Sequence, residues 1–116
     1  GLGSAWAHTT VLAATEFGRT AAVNGTGGTD HGTGGAAFMA GGAVAGGRVV
    51  ADWPGLGAAQ LYENRDLRPT TDLRSVMLGA AAGSFGVDPA RLSGVLFPGG
   101  GVKGVAGLVR PEPRAR

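Results

Sequence analysis

The sequence predicts a small mixed α/β fold with few short strands, one main helix and glycine-rich loops. Three observations predict it: short apolar runs of strand length, one segment with apolar residues at helical spacing, and 24 glycines among 116 residues. Isoleucine is absent and alanine supplies much of the apolar fraction, so we expect a thin hydrophobic core. The length is sufficient for one small domain.

Three strands are predicted in the first half of the chain. They cover residues 8–15, 36–42 and 47–53, and a mostly irregular connection follows at 54–70. The first run is continuously apolar rather than alternating, which predicts a strand buried on both faces of a sheet. Residues 16–20 then lie at the carboxyl end of this strand, the edge where open α/β sheets bind their ligands.

The main helix is predicted over residues 70–86. Thr71 is its expected N-cap, Asp72 favours the positive N-terminal end, and Gly86 suits the position that ends the helix. A core-facing stripe is predicted at helical spacing, formed by Leu73, Val76, Met77 and Ala80. A second helical turn begins with Asp88 as cap and Pro89 at its first position.

The distribution of charge, the absence of cysteine and the length of the apolar runs each exclude a class of protein or site. Residues 1–109 contain seven basic and seven acidic groups, whereas the tail 110–116 adds three arginines and one glutamate. A neutral body with a basic tail lacks the clustered basic face of a nucleic-acid-binding protein. The absence of cysteine excludes disulfides and thiolate metal sites. No apolar run approaches the ~20 residues of a membrane span.

A glycine-dense loop at residues 24–35 surrounds one acid and one imidazole, Asp30 and His31. Ordering so many glycines is entropically costly, so the loop is either disordered or a backbone that approaches something closely. A carboxylate and an imidazole are good ligands for zinc or a similar divalent ion. The alternative is a turn-forming aspartate beside an exposed histidine.

Glu16 and Arg19 are the next candidates for chemistry. A carboxylate at the carboxyl end of a strand can bind metal or act as a base, and arginine suits a bidentate contact with phosphate or sulfate. The alternative is a surface ion pair between the two side chains, which would contribute roughly 0–1 kcal/mol.

A nucleotide-binding loop is excluded by the residues that follow the glycines. Residues 32–37 fit the pattern Gly-x-Gly-x-x-Ala, with Asp52 twenty positions beyond its first glycine. The dinucleotide fingerprint needs a helix immediately afterwards. Residues 36–47 contain four glycines, each costing a helix about 0.8–1 kcal/mol relative to alanine. The P-loop pattern is also missing, because the only lysine, Lys103, is followed by glycine.

Five segments together carry a family resemblance. They are TEFGRT (15–20), NGTGGTDHGTGG (24–35), GGAVAGGRVVADWPGL (41–56), LYENRDLRPTTDLRSV (61–76) and LFPG (96–99). In this order they resemble a bacterial family of domains of unknown function, number fifteen-oh-one, from about Ala5 to Val109. Members of this family are usually exported, often by the twin-arginine route, and are related in fold to alkaline phosphatases and sulfatases.

The resemblance implies an architecture and a location. Residues 1–109 would form the C-terminal part of an alkaline-phosphatase-like three-layer α/β/α sandwich, and residues 110–116 a basic tail. The full-length parent would be periplasmic or otherwise exported. Because the sequence begins in mid-pattern, we expect an N-terminal part to precede it, and the nucleophile of an enzyme would lie there.

The resemblance also implies a site. Alkaline-phosphatase-like enzymes deliver an Asp-His metal pair at the end of one strand, and here Glu16 and Phe17 stand at that position. Glu16 can still bind a metal but Phe17 cannot, so the expected ligands are His31, Asp30 and Glu16. The metal would be zinc or calcium, and Arg19 would steady the oxyanion of a phosphate or sulfate ester. The alternatives are a non-catalytic exported binding or assembly protein and a free-standing small module.

Overall fold

The computed structural model describes residues 1–111, which form a mixed α/β chain with two small antiparallel sheets. Its strands are β1 (Thr10–Ala13), β2 (Gly18–Arg19), β3 (His31–Gly32) and β4 (Phe38–Gly41). Its α-helices are α1 (Leu73–Phe85) and α2 (Pro89–Leu96), and 3-10 turns cover Gly3–His8 and Ala58–Gln60. One sheet pairs β1 with β4, and the other pairs β2 with β3. Of the predicted basic tail, residues 112–116 lie outside the described part.

The chain divides into two compact units. The helical unit contains Gly1–Leu12, Met39–Arg48 and the residues from Asp72 onward. The loop unit contains Ala13–Phe38 and Val49–Thr71, so it carries Glu16, Arg19, Asp30 and His31. In the described part of the chain, no helix combines the length and the apolar character needed to cross a membrane.

The helix ends follow the local signals in the sequence. α1 begins after Asp72, whose carboxylate accepts the N–H of Arg74 at 2.9 Å, so Asp72 rather than Thr71 is the cap. It ends at Gly86, which adopts the left-handed φ of 63° that favours glycine, as predicted. Asp88 caps α2 and Pro89 begins it, also as predicted, although the helix continues to Leu96.

The buried face of α1 differs in part from the predicted stripe. Leu78 is fully buried, and Ala80 and Ala82 are nearly so, whereas Met77 is 38% exposed. Leu73 and Val76 are only half-buried. The reason is the segment that follows α2, which packs on α1 and donates the N–H of Val105 to the carbonyl of Ser75 at 2.9 Å. The side that this segment covers becomes the core.

Two of the three predicted strands form. β1 and β4 fall within the predicted ranges, but β1 alternates half-buried and exposed residues, so the expectation that both its faces are buried was wrong. A two-stranded sheet with β4 as its only partner cannot cover both faces. The third prediction, 47–53, was also wrong: in the described chain these residues join neither sheet, and Val49 is 90% exposed. Valine favours a strand only where a neighbouring strand supplies partners.

Candidate functional site

The loop unit brings Arg19 and His31 together through the pairing of β2 with β3. The strands are antiparallel, with Gly18 opposite Gly32 and Arg19 opposite His31. Directly opposite residues of an antiparallel pair have Cβ atoms about 4.5–5.5 Å apart and share a face. The guanidinium and the imidazole therefore extend from one side of the same two-stranded ribbon.

Glycine in this region is explained by close backbone approach. A Cβ on Gly32 would lie 2.8 Å from the carbonyl carbon of Arg19, and a Cβ on Gly34 would lie 2.5 Å from the carbonyl oxygen of Leu67. Side chains at these positions would push the neighbouring segments apart. Of the two explanations for the glycine loop, close approach is therefore the correct one at these positions.

The imidazole of His31 stacks on the ring of Phe17. The two ring centroids are 4.4 Å apart and the ring planes differ by 20°. Both residues are exposed to solvent, and Phe17 retains 52% of its accessible surface. The ring of Phe17 is thus in contact with the candidate ligand His31.

Two polar residues that the sequence analysis did not identify hold Asp30. The side-chain amide of Asn24 donates to Oδ1 of Asp30 at 3.1 Å, and its oxygen accepts the N–H groups of Thr26 and Gly28, both at 3.0 Å. The N–H of Asp30 donates to Oγ1 of Thr20, and the N–H of Thr20 to the carbonyl of Asp30, each at 3.0 Å. The Asn-Gly dipeptide at 24–25, a strong turn signal, was the available clue.

Arg19 and Glu16 have different surroundings. Nη1 of Arg19 donates to the carbonyl of Thr29 at 3.0 Å, which fixes the guanidinium over the residue before Asp30. Glu16 is exposed and precedes Phe17 in the chain. Both residues belong to the described chain, and the structure contains no ion pair between them, so the predicted alternative of a surface pair is not formed.

A buried carboxylate, Asp66, lies beside this ribbon and was missed in the sequence. Asp66 is 4% exposed, and its Oδ2 accepts the hydroxyl of Thr33 at 2.5 Å while its Oδ1 accepts Nε of Arg65 at 2.8 Å. The hydrogen bond from Thr33, followed by that from Arg65, lowers the pKa of the Asp66 carboxyl below its usual value. Its position in the polar run 62–66 resembles an exposed loop, so no local signal identifies it.

The turn that presents Asp66 has an unusual backbone. Tyr62 and Asp66 exchange two backbone hydrogen bonds, each of 2.9 Å. Between them, Glu63 and Asn64 adopt left-handed φ values of 53° and 59°. A non-glycine residue in this conformation costs about 1–2 kcal/mol, less for asparagine. The bonds that close the turn hold this conformation.

The candidate metal ligands are only partly brought together. Asp30 and His31 are consecutive at the start of β3, and Glu16 is linked to them through the contact of its neighbour Phe17 with His31. Within residues 1–111, no three His, Asp or Glu residues form a group that could hold a metal ion. Structural zinc takes about four ligands, so Asp30 and His31 alone do not form a complete zinc site.

The fold and the site define a mixed α/β protein with an exposed Asp-His pair beside an arginine on a glycine-rich ribbon. The chain belongs to the family described as protein of unknown function (DUF1501), whose sequence pattern matches residues 1–96. This confirms the family that the five segments indicated. No curated protein and no solved structure matches the chain. The relation to alkaline phosphatases and sulfatases stays a prediction.

Proposed function

We propose that Asp30 and His31 contribute to the divalent-metal site of an exported phosphate- or sulfate-ester hydrolase, with Arg19 contacting the ester oxyanion. The observation that supports this proposal is the β2–β3 register, in which Arg19 is opposite His31, the residue that follows the exposed Asp30. Two donors for a cation and one donor for an anion then occupy one short ribbon. This is the combination that a metal-assisted ester hydrolase needs.

The donor types fit zinc better than calcium. Calcium takes oxygen ligands, whereas zinc binds imidazole nitrogen and carboxylate oxygen alike. A bound metal would polarise the ester and lower the pKa of an attacking group. Asn24 orients one carboxylate oxygen of Asp30 through its 3.1 Å hydrogen bond, which is the kind of supporting contact that metal-binding carboxylates receive. Glu16 is the third proposed ligand, although within residues 1–111 it does not form a three-residue metal-binding group with Asp30 and His31.

The stacking of Phe17 on His31 is compatible with metal binding by the imidazole. A histidine binds metal through the in-plane lone pair of Nδ1 or Nε2. A ring stacked at 4.4 Å and 20° covers the face of the imidazole and not its edge. Phe17 therefore fixes the ring plane while the nitrogens point away from the contact.

Arg19 would act as the anion-binding group. Its guanidinium has five N–H donors, and the hydrogen bond to the Thr29 carbonyl uses Nη1. That bond fixes the direction of the side chain. The remaining donors are free to form a bidentate contact with two oxygens of a phosphate or sulfate ester.

The proposal includes the architecture implied by the family resemblance. Residues 1–109 would be the C-terminal part of an alkaline-phosphatase-like three-layer sandwich in a longer, exported parent. That parent would supply the nucleophile and the remaining ligands. The support for this part of the proposal is the resemblance of the matched family, described as a protein of unknown function, to those enzymes.

The test is an assay of the full-length parent with aryl phosphate and aryl sulfate, with and without a chelator. His31→Ala should lower metal-dependent turnover by at least the ~10–100-fold that loss of a group supporting a ligand produces. His8→Ala is the matched control, because His8 is an exposed histidine of the helical unit. Metal-independent activity, or equal turnover of the two variants, would contradict the proposal.

The second candidate is a non-catalytic binding or assembly protein on the same fold. Phe17 favours it, because an aromatic side chain at a ligand position removes one donor and packs on another. Metal analysis of the purified parent separates the two candidates. A pseudoenzyme holds no stoichiometric metal, and His31→Ala then leaves its stability and its partner binding unchanged.

A further inference from the structure

We propose that Asp66 is a positioning residue that fixes His31 on β3 and Asp30 immediately before it, acting through Thr33 and Thr20. The part of this inference that concerns metal binding rests on the proposed function. The part that concerns the placement of the two side chains does not.

The carboxylate of Asp66 is itself held firmly. It is 4% exposed, and the antiparallel bridge between Tyr62 and Asp66 fixes its backbone. A buried carboxylate is stable only where hydrogen bonds replace its water. Thr33 and Arg65 supply those bonds, one to each carboxylate oxygen. Asp66 is therefore a fixed point in the loop unit.

The first connection from Asp66 to the site runs through Thr33. The hydroxyl of Thr33 donates to Asp66 at 2.5 Å, which is in the range of a charge-assisted O–H···O⁻ bond. Thr33 follows His31 by two positions, one repeat of an extended chain. The bond therefore holds the chain just after the imidazole.

The second connection runs through Thr20. Thr20 forms an antiparallel bridge with Asp66 and is itself 4% exposed. It bonds the N–H of Asp30 through its hydroxyl and the carbonyl of Asp30 through its own N–H. The residue before His31 is thus tied to the same fixed point. The chain is held on both sides of the imidazole.

These connections matter because β2 and β3 are short. Each strand contains two residues, and a two-stranded pair is marginally stable in water by itself. A slip of one residue would turn His31 to the other face, away from Arg19. The hydrogen bonds around Asp66 fix the register of β2 against β3, which the few hydrogen bonds between these two strands do not fix by themselves.

The test uses hydrogen exchange and a zinc titration followed at the ring resonances of His31, both on the full-length parent that would supply the remaining ligands. Thr33→Val removes the hydroxyl and keeps the shape, Asp66→Asn removes the charge, and Thr33→Ser is the rescue. Asp72→Asn is the control, because Asp72 also accepts from a neighbouring arginine but belongs to the helical unit.

Thr33→Val and Asp66→Asn should each raise the exchange rate of the Asp30 amide about 5–30-fold. They should also lower zinc affinity at His31 about 10–100-fold. Thr33→Ser, which keeps the hydroxyl, should have the exchange rate and the zinc affinity of the wild type. Asp72→Asn should change neither quantity. A folded Thr33→Val variant with unchanged exchange at Asp30 would overturn the inference, and this variant decides the question if Asp66→Asn does not fold. A wild-type full-length parent that binds no zinc at His31, while the variants show the expected change in exchange at Asp30, would contradict the proposed function and support the positioning role.

Discussion

Replacing Gly32 by alanine should separate β2 from β3, and the structure offers an internal control for its magnitude. A Cβ at Gly32 would lie 2.8 Å from the carbonyl carbon and 3.0 Å from the carbonyl oxygen of Arg19, and 2.9 Å from the nitrogen of Thr20. All three atoms are backbone, so no side-chain rotation relieves the contact. Overpacking of this kind costs about 1–3 kcal/mol.

Gly28→Ala is the matched control in the same loop. A Cβ at Gly28 would approach only the side chain of Asn24, at 3.9 Å, which is an ordinary contact. Neither Gly28 nor Gly32 has a positive φ, so neither substitution strains the backbone dihedral. Both variants gain the ~0.4–1 kcal/mol that alanine provides by restricting the unfolded chain.

The difference between the two variants isolates the steric term. Because the unfolded-state gain cancels, the free energy of unfolding of Gly32→Ala should be about 1–3 kcal/mol below that of Gly28→Ala. Urea unfolding followed by circular dichroism measures this difference. Equal stabilities within about 0.5 kcal/mol would show that the close approach of Gly32 to Arg19 is absent in solution.

Three further predictions concern the core, a helix cap and pH. Leu78→Ala should lower the free energy of unfolding by about 2–5 kcal/mol, because Leu78 is fully buried. Met77→Ala should lower it by clearly less, because Met77 is 38% exposed. Thermal unfolding of the two variants tests which face of α1 is buried. Asp88→Ala should lower the free energy of unfolding by about 0.5–2 kcal/mol, and Asp88→Asn by only a few tenths of a kcal/mol, because asparagine can also cap the helix. Equal losses for the two variants in a denaturant titration would exclude the capping role. The hydrogen bonds to Asp66 lower the pKa of its carboxyl in the folded state. The stability that the ionised carboxylate contributes to the folded state should therefore be fully present above the unfolded pKa of about 3.9, and should be lost as the pH falls through the lower folded pKa. Acid titration of Asp66→Asn against wild type should therefore show a shallower loss of stability in that window, and parallel curves would refute this.

The sequence by itself determined the features that depend on near neighbours along the chain. The C-terminal end of α1 follows from Gly86 and the start of α2 from Asp88 and Pro89, because capping and the left-handed helix end are satisfied within a few residues. The apolar runs that become β1 and β4 were also visible, and so was the loop that presents Asp30 and His31. The order of the five segments was sufficient to indicate the family.

The tertiary structure alone decided which of these local elements find partners. Residues 47–53 have the composition of a strand but lack a neighbouring strand in the described chain, and the buried side of α1 depends on the segment that contains Val105. Asp66 is a buried centre of hydrogen bonds because Thr33, thirty-three positions away, reaches it. Burial and hydrogen-bond partners of this kind depend on contacts between distant residues, and no local propensity encodes them.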